Sequence, residues 1–364
     1  MARKSMWAAA LILGLGGAGW ASLSLAPVQD WLVAKGVDQM ASQKAFADQK
    51  ATGLQVLICG TSPPPPSKTR AKSCTLVIAG DRAFVIDTGP GSANNLSRWR
   101  FPMKRLAGVL FTHFHSDHIG DLGEFRIQSW VAGRAAPLPV YGPDGVEQVV
   151  SGFNAAYAQD ASYRAPEHSL SAEAAALEAK PFGLAGADER GDHMASKIIL
   201  EDKGLRITAF QVEHEPVYPA VGYRFDYQGR SVLISGDTIY SRNLLRHAKG
   251  VDVLIHEGQS EEARALMVAA LRRAGDAKLA KVISEVGNYH ATPVDAARLA
   301  KQAGAKLLVF NHMGPIPPDN IVTKKLFARG VADELSPDRW VLADDGLLLS
   351  LPKGSKVIEQ RSLD

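Results

Sequence analysis

The stretch Thr112-His-Phe-His-Ser-Asp-His-Ile-Gly-Asp121 packs three imidazoles and two carboxylates directly behind an apolar run, Leu106-Ala-Gly-Val-Leu-Phe111. A short run of this kind reads as a buried strand. Side chains alternate faces along an extended backbone, so His113 and His115 are expected on one side. Asp117 and His118 follow where the chain turns, close enough to offer a second pair of donors. Neutral imidazole with carboxylate is the donor set that zinc takes most readily, which gives one metal for each pair. The alternative is a polar loop carrying a chance cluster of histidines.

Other strand-like runs deliver a donor at their tips. His214 follows Leu205-Arg-Ile-Thr-Ala-Phe-Gln-Val212, Asp237 follows Ser231-Val-Leu-Ile-Ser-Gly236, and His312 follows Lys306-Leu-Leu-Val-Phe-Asn311. Each alone is a weak signal; together they describe a site on the rim of a sheet. Nothing suggests a serine or cysteine nucleophile. Gly89 and Gly91 lack dinucleotide spacing and a P-loop lysine, so no phosphate cradle is expected there.

With these residues in view the chain resembles the metallo-β-lactamase superfamily, from about Gln55 to Leu351. The resemblance rests on His-x-His-x-Asp-His, on Val85-Ile-Asp-Thr-Gly-Pro-Gly91 and on Ser235-Gly-Asp-Thr238. Cys59-Gly-Thr-Ser-Pro-Pro, His256-Glu257-Gly258 and Tyr289-His290-Ala-Thr-Pro-Val-Asp-Ala-Ala make it similar to the ribonuclease Z and arylsulfatase-like branch. The resemblance implies an αβ/βα sandwich, two mixed β-sheets face to face with helices outside. It implies two Zn²⁺ per chain, with Mn²⁺ or Fe²⁺ as alternatives. One ion would take His113, His115, His214 and Asp237; the other would take Asp117, His118, His312 and Asp237, which bridges. His290 and Glu257 would form a charge-relay pair. Asp117, His290 and Glu257 are thus the catalytic candidates, and Asp87 is expected to support the histidines by hydrogen bonds.

The implied chemistry is ester hydrolysis by a water activated between two metals, with His290 serving the leaving group. Ribonuclease Z enzymes carry a long arm between the third metal histidine and the Ser-Gly-Asp-Thr strand. Here only a tight turn at Gln228-Gly229 fits between Tyr223 and Ser231. The formal charge of +3 falls further once Arg3 and Lys4 are removed, unlike a binder that relies on phosphate contacts. The expectation is therefore a hydrolase of small anionic sulfate or phosphate esters with nucleic acid disfavoured as a partner, alone or as a homodimer. The alternatives are a ribonuclease Z-type 3′-tRNA processing endoribonuclease and a β-lactam or lactone hydrolase; a non-catalytic binding protein is disfavoured by the complete donor set. Arg126, Trp130 and Arg134 are candidates for the mouth of the site or for helix packing. Tyr163, Arg164 and His168 are candidates from a long loop, with a surface role as the alternative for His168.

Met1-Ala-Arg-Lys-Ser and the uncharged stretch Met6 to Ala26 read as a signal peptide or membrane anchor over residues 1–26. The catalytic domain, 27–364, would then face a periplasmic or other extracytoplasmic space. With 46% hydrophobic residues and no linker, it can bury one large core. Cys59 and Cys74 flank a candidate hairpin loop, as a disulfide or as two free thiols. Thr292-Pro293 opens a helix ending at Gly304, Ser260 opens another ending near Gly275, and Ser169 to Lys180 is locally helix-favouring.

Overall fold

A computed structural model describes residues 23–42, 53–184 and 194–364. They belong to two compact units divided between Asp48 and Gln49. In the first, Ala26–Ser42 is a helix with Trp31, Leu32, Val33 and Val37 exposed. The expected leader up to residue 22 lies outside the described residues. Among those described, no helix is long and apolar enough to cross a membrane.

The second unit is built on two mixed sheets. The first sheet takes β1 (Gly53–Gly60), β2 (Cys74–Ala79), β3 (Arg82–Ile86), β4 (Leu106–Leu110), β5 (Leu138–Gly142) and β6 (Leu177–Pro181) in sequence order. β1 to β3 pair antiparallel, and β3 to β6 pair parallel. The second sheet begins with the antiparallel β7 (Ser196–Asp202), β8 (Leu205–Gln211), β9 (Val221–Tyr227) and β10 (Arg230–Ile234). It continues with the parallel β11 (Val253–Gln259), β12 (Leu307–Gly314) and β13 (Trp340–Leu342). The chain then returns to the first sheet, where β14 (Leu347–Pro352) pairs with β1 and β15 (Glu359–Ser362) with β14.

Apolar residues of alternate positions close the space between the sheets. Leu54, Val56 and Ile58 from β1 share one core with Ile207, Phe225, Val253 and Val309 from the other sheet. The outer face of the second sheet buries Phe210, Leu233, Leu254 and Phe310 against helices Arg242–Ala248 and Pro293–Ala303. Helices Ser92–Arg98 and Val146–Ala156 pack on the first sheet. The expected layering is thus the observed one.

Caps place the helices where the sequence marked them. Thr292 accepts from the Asp295 amide with Pro293 at the first turn, and Gly304 ends the helix at φ 65°. Ser260 likewise caps Glu261–Arg273. The segment Ser169–Lys180 departs from its helical reading. Only a 3₁₀ turn, Glu173–Ala175, forms before β6. Asn154 clamps both backbone groups of Leu177 at 2.9 Å, and β6 completes a parallel edge beside β5. Sheet pairing there outweighs alanine-rich helix propensity.

Cys59 and Cys74 form a disulfide at the loop end of the β1–β2 hairpin, closing a span of 15 residues. Replacing both with serine is expected to lower the unfolding free energy by roughly 3 kcal/mol, the chain-entropy value for such a loop. Urea titration of the oxidised protein and the double variant checks this; coincident curves would contradict it.

Candidate metal centre

The rim where both sheets end gathers the seven donors. The first sheet contributes the segment behind β4, where the chain leaves Leu110 extended and enters the short helix Ser116–Ile119. His113 Nε2 and His115 Nδ1 lie 2.9 Å apart, on one side as alternation requires. Asp117 and His118 project from the short helix. The turn Asp87–Gly91 holds that helix: the Thr88 amide donates to the His118 carbonyl at 2.6 Å. A Cβ at Gly89 would sit 2.3 Å from the Asp117 carbonyl, so close backbone approach is what glycine serves here.

The second sheet supplies the remainder. His214 follows β8, and Asp237 follows β10 past Gly236, which has φ 64° and backs onto Thr112. His312 sits inside β12 rather than beyond its tip. Glu257 pairs with Asn311 and Gly258 with Met313, so His312 is the extra residue of a β-bulge, at φ 45°. A bulge re-aims one side chain without ending the strand.

The donors fall into two groups. His113, His115, His214 and Asp237 place one ligand atom each within 4.8 Å of one another, as do Asp117, His118 and His312. Asp237 Oδ2 reaches both, lying 3.9 Å from His113 Nε2, 3.3 Å from His118 Nε2 and 3.5 Å from His312 Nε2. All but His115 are buried.

The nitrogens turned away from the centre are fixed by the chain. His118 Nδ1 donates to Asp87 Oδ2 at 2.8 Å, and His214 Nδ1 donates to the Tyr289 carbonyl at 2.8 Å. His113 Nδ1 donates to Thr112 Oγ1, which in turn donates to Asp87 Oδ2. Asp87 thus orients two imidazoles through its own hydrogen bonds, in the supporting role expected of it. Nε2 of His118 and of His214 are left buried with no hydrogen-bond partner. Such atoms are costly unless something accepts their lone pairs, and a divalent cation does.

Charge agrees. Burial drives His113 well below the usual histidine range and His214 down to about 4, which keeps both rings neutral. Burial alone would raise Asp117 and Asp237, yet the neighbouring histidines outweigh it, holding Asp117 at about 2 and Asp237 well below the usual carboxylate range. His118 is the exception. Burial works against its charge, but Asp237, Asp87 and Asp117 lift it well above the usual value. A pocket that demands a proton among three carboxylates has room for a cation's charge in its place. Asp87→Asn is therefore expected to weaken metal binding about 10–100-fold while the fold persists. Competition with a chromophoric chelator checks this; unchanged affinity would remove Asp87 from the centre.

His290 stands at the edge of the cluster. Its Nδ1 donates to Glu257 Oε1 at 2.8 Å and lies 4.0 Å from Asp237 Oδ2. Glu257 Oε1 also accepts from the Thr238 and Ala291 amides. With Asp237 and His312, His290 forms a third potential donor group. The sequence could not disclose Thr112 or the Tyr289 carbonyl, since a hydroxyl and a backbone oxygen carry no pattern of their own.

Three candidates for the mouth are engaged elsewhere. Arg134 donates to Ser129 Oγ and to the carbonyls of Arg126 and Ala136. Trp130 Nε1 donates to the Ser171 carbonyl, and Arg126 donates to the Tyr157 carbonyl while stacking on its ring. Buried guanidinium groups need acceptors, and helix-end carbonyls provide them. Arg164 pairs with Asp160, and Tyr163 and His168 are exposed.

Comparison with known proteins places the fold and the family. A family model described as "Beta-lactamase superfamily domain" covers residues 82–313. Ribonuclease Z of Mycobacterium bovis is 31% identical over 72% of this chain and 86% of its own length. Ribonuclease Z of Mycobacterium avium is 33% identical over the same shares. Among solved structures, the short form of human tRNase Z aligns with TM-score 0.57 at 19% identity, over 82% of this chain and 99% of its own. A metallo-β-lactamase fold protein of Bacillus subtilis aligns equally well, TM-score 0.57 at 19% identity, over 81% and 98%.

The chain belongs to the metallo-β-lactamase superfamily and, within it, to the ribonuclease Z branch. It is a hydrolase by family. The expectation of a small anionic ester with nucleic acid disfavoured is corrected by these relatives, whose name denotes an RNA substrate. The physical flaw lay in using net charge. A summed charge says nothing of a local cleft in which bound cations would neutralise one phosphate. The two-residue β9–β10 turn at Gln228-Gly229 is as expected, but it does not decide the substrate.

Proposed function

We propose that this protein is a dinuclear, metal-dependent phosphodiester hydrolase of the ribonuclease Z type that cleaves RNA, with zinc as the resident metal. The observation that carries it is the His290–Glu257 pair set beside two donor groups joined by Asp237. His113, His115, His214 and Asp237 would hold one ion, and Asp117, His118, His312 and Asp237 the other. Bound there, such a pair would supply Lewis acidity, lowering the pKa of a water and neutralising negative charge as it develops.

The protein's own residues handle the proton and the leaving group. Asp117, ionised throughout the physiological range, can accept the proton of the attacking water. His290 has its Nδ1 committed to Glu257, so Nε2 is the nitrogen left for the leaving oxygen. Burial opposes its charging, but Glu257 and then Asp237 raise its pKa above the ordinary value. A larger protonated fraction near neutral pH makes it the donor to the departing oxygen.

The test is a metal-loaded enzyme offered a precursor tRNA with a 3′ trailer, an unstructured RNA, an aryl sulfate and a chromogenic cephalosporin. RNA cleavage that chelation abolishes and zinc restores is expected. Turnover of the sulfate or the cephalosporin with both RNAs intact would overturn the proposal.

Export accompanies this reading. The disulfide supports it, because such bonds persist in oxidising compartments, and the basic, then uncharged, stretch 1–26 supplies a leader. Cell fractionation with thiol alkylation tests it; reduced Cys59 and Cys74 in a cytoplasmic fraction would exclude it.

A further inference from the structure

Beneath the metal centre, between the sheets, lies a cavity of about 20 Å³ lined by Ser73, Thr75, Asp87, Glu257, Asn311 and His312 among others. Its walls hold an unusual concentration of unsatisfied polar atoms. Glu257 Oε2, Asn311 Oδ1 and His312 Nδ1 are buried without a hydrogen-bond partner. Ser73 and Thr75 add two hydroxyl-bearing side chains to the same lining. Each orphaned buried group is destabilising, and apolar cavities alone stay dry. A polar cavity holds a water once it offers roughly 10–15 Å³ and two to four partners. This one meets both conditions.

We infer that the cavity is a bound-water site that ties Glu257 to His312 from below the metal centre. Glu257 Oε2 and Asn311 Oδ1 accept from the water, and the water accepts from His312 Nδ1 and from the Thr75 hydroxyl. His312 Nε2 already faces Asp117 and Asp237, so the water fixes the far side of that ring as Asp87 and Tyr289 fix those of His118 and His214. It also links the oriented pair, Glu257 and His290, to a proposed metal ligand. The bulge makes such a tether necessary, because His312 is the residue whose backbone has no partner across β11.

The inference rests on the metal-centre reading, and the test separates the two. A high-resolution crystal structure of the metal-free protein should show density in the cavity. Thr75→Val keeps shape while removing a hydroxyl, and Asn311→Leu fills the space. Both should lose the density. Asn311→Leu should weaken cobalt binding on the His312 side about 10–100-fold, with a changed visible spectrum, and Thr75→Ser should behave as wild type. An empty wild-type cavity would overturn the site. Density with unaltered cobalt affinity and spectrum in Asn311→Leu would overturn the tether. Wild-type protein that binds no metal would count against the metal centre, while the density still decides the cavity.

Discussion

Asp237→Ala is expected to empty both metal positions together. Its Oδ2 lies within 3.9 Å of imidazoles from both donor groups, and among the described residues no other carboxylate oxygen spans them in this way. Loss of that oxygen leaves the first group with three histidines and the second with Asp117 and two histidines. Metal content should fall from about two ions per chain to below one. Activity should fall on the order of 10⁴-fold or more, since the ions are asked for several kcal/mol and each 1.36 kcal/mol is tenfold in rate. His113→Ala is the control, because its contacts lie mainly in the first group, so one ion should remain. Elemental analysis of the purified variants decides. Two ions retained in Asp237→Ala would dissolve the bridged arrangement.

His290→Ala should separate catalysis from metal retention. The ring leans on Glu257 and stands 4.0 Å from Asp237, at the margin of the cluster. Both ions are expected to stay, while turnover falls about 10²–10⁴-fold, the usual range for a positioned acid–base group. Glu257→Gln should lose less. An amide can still accept from His290 Nδ1, but it no longer raises the proton affinity of the ring. The alkaline limb of the rate profile should then move to lower pH, a change that simple unfolding would not produce. A His290→Ala enzyme missing one ion would make His290 a ligand, as its place in a third donor group allows. Wild-type turnover would make it structural.

Most of the site was legible because its chemistry is local. His113, His115, Asp117 and His118 announce themselves by spacing alone, and His214 and Asp237 follow strands that apolar runs define. The bulge at His312 was not legible: it depends on how β12 registers against β11, a relation between distant segments. For Arg126, Trp130 and Arg134 the sequence left the mouth of the site and helix packing both open, because a basic and aromatic helix near a turn reads alike in either role, and the structure shows the packing. Ser169–Lys180 failed for a similar reason. Its alanines favour a helix in isolation, and only the free edge of β5 and the Asn154 side chain make it a strand.

The donors are divided between the two sheets, His113, His115, Asp117 and His118 from one and His214, Asp237 and His312 from the other. Ions held there would act as a rivet through the sandwich, and the protein's lifetime would then depend on its mineral supply. Ligand binding to the native state stabilises it by about 2.7 kcal/mol at a hundredfold excess over Kd. Without metal the two sheets would be joined by the apolar layer and by hydrogen bonds such as Tyr223 to the Phe111 carbonyl, and opening at the rim would expose the segment behind β4 to proteases. Abundance would then track the surrounding divalent ions without any dedicated sensor.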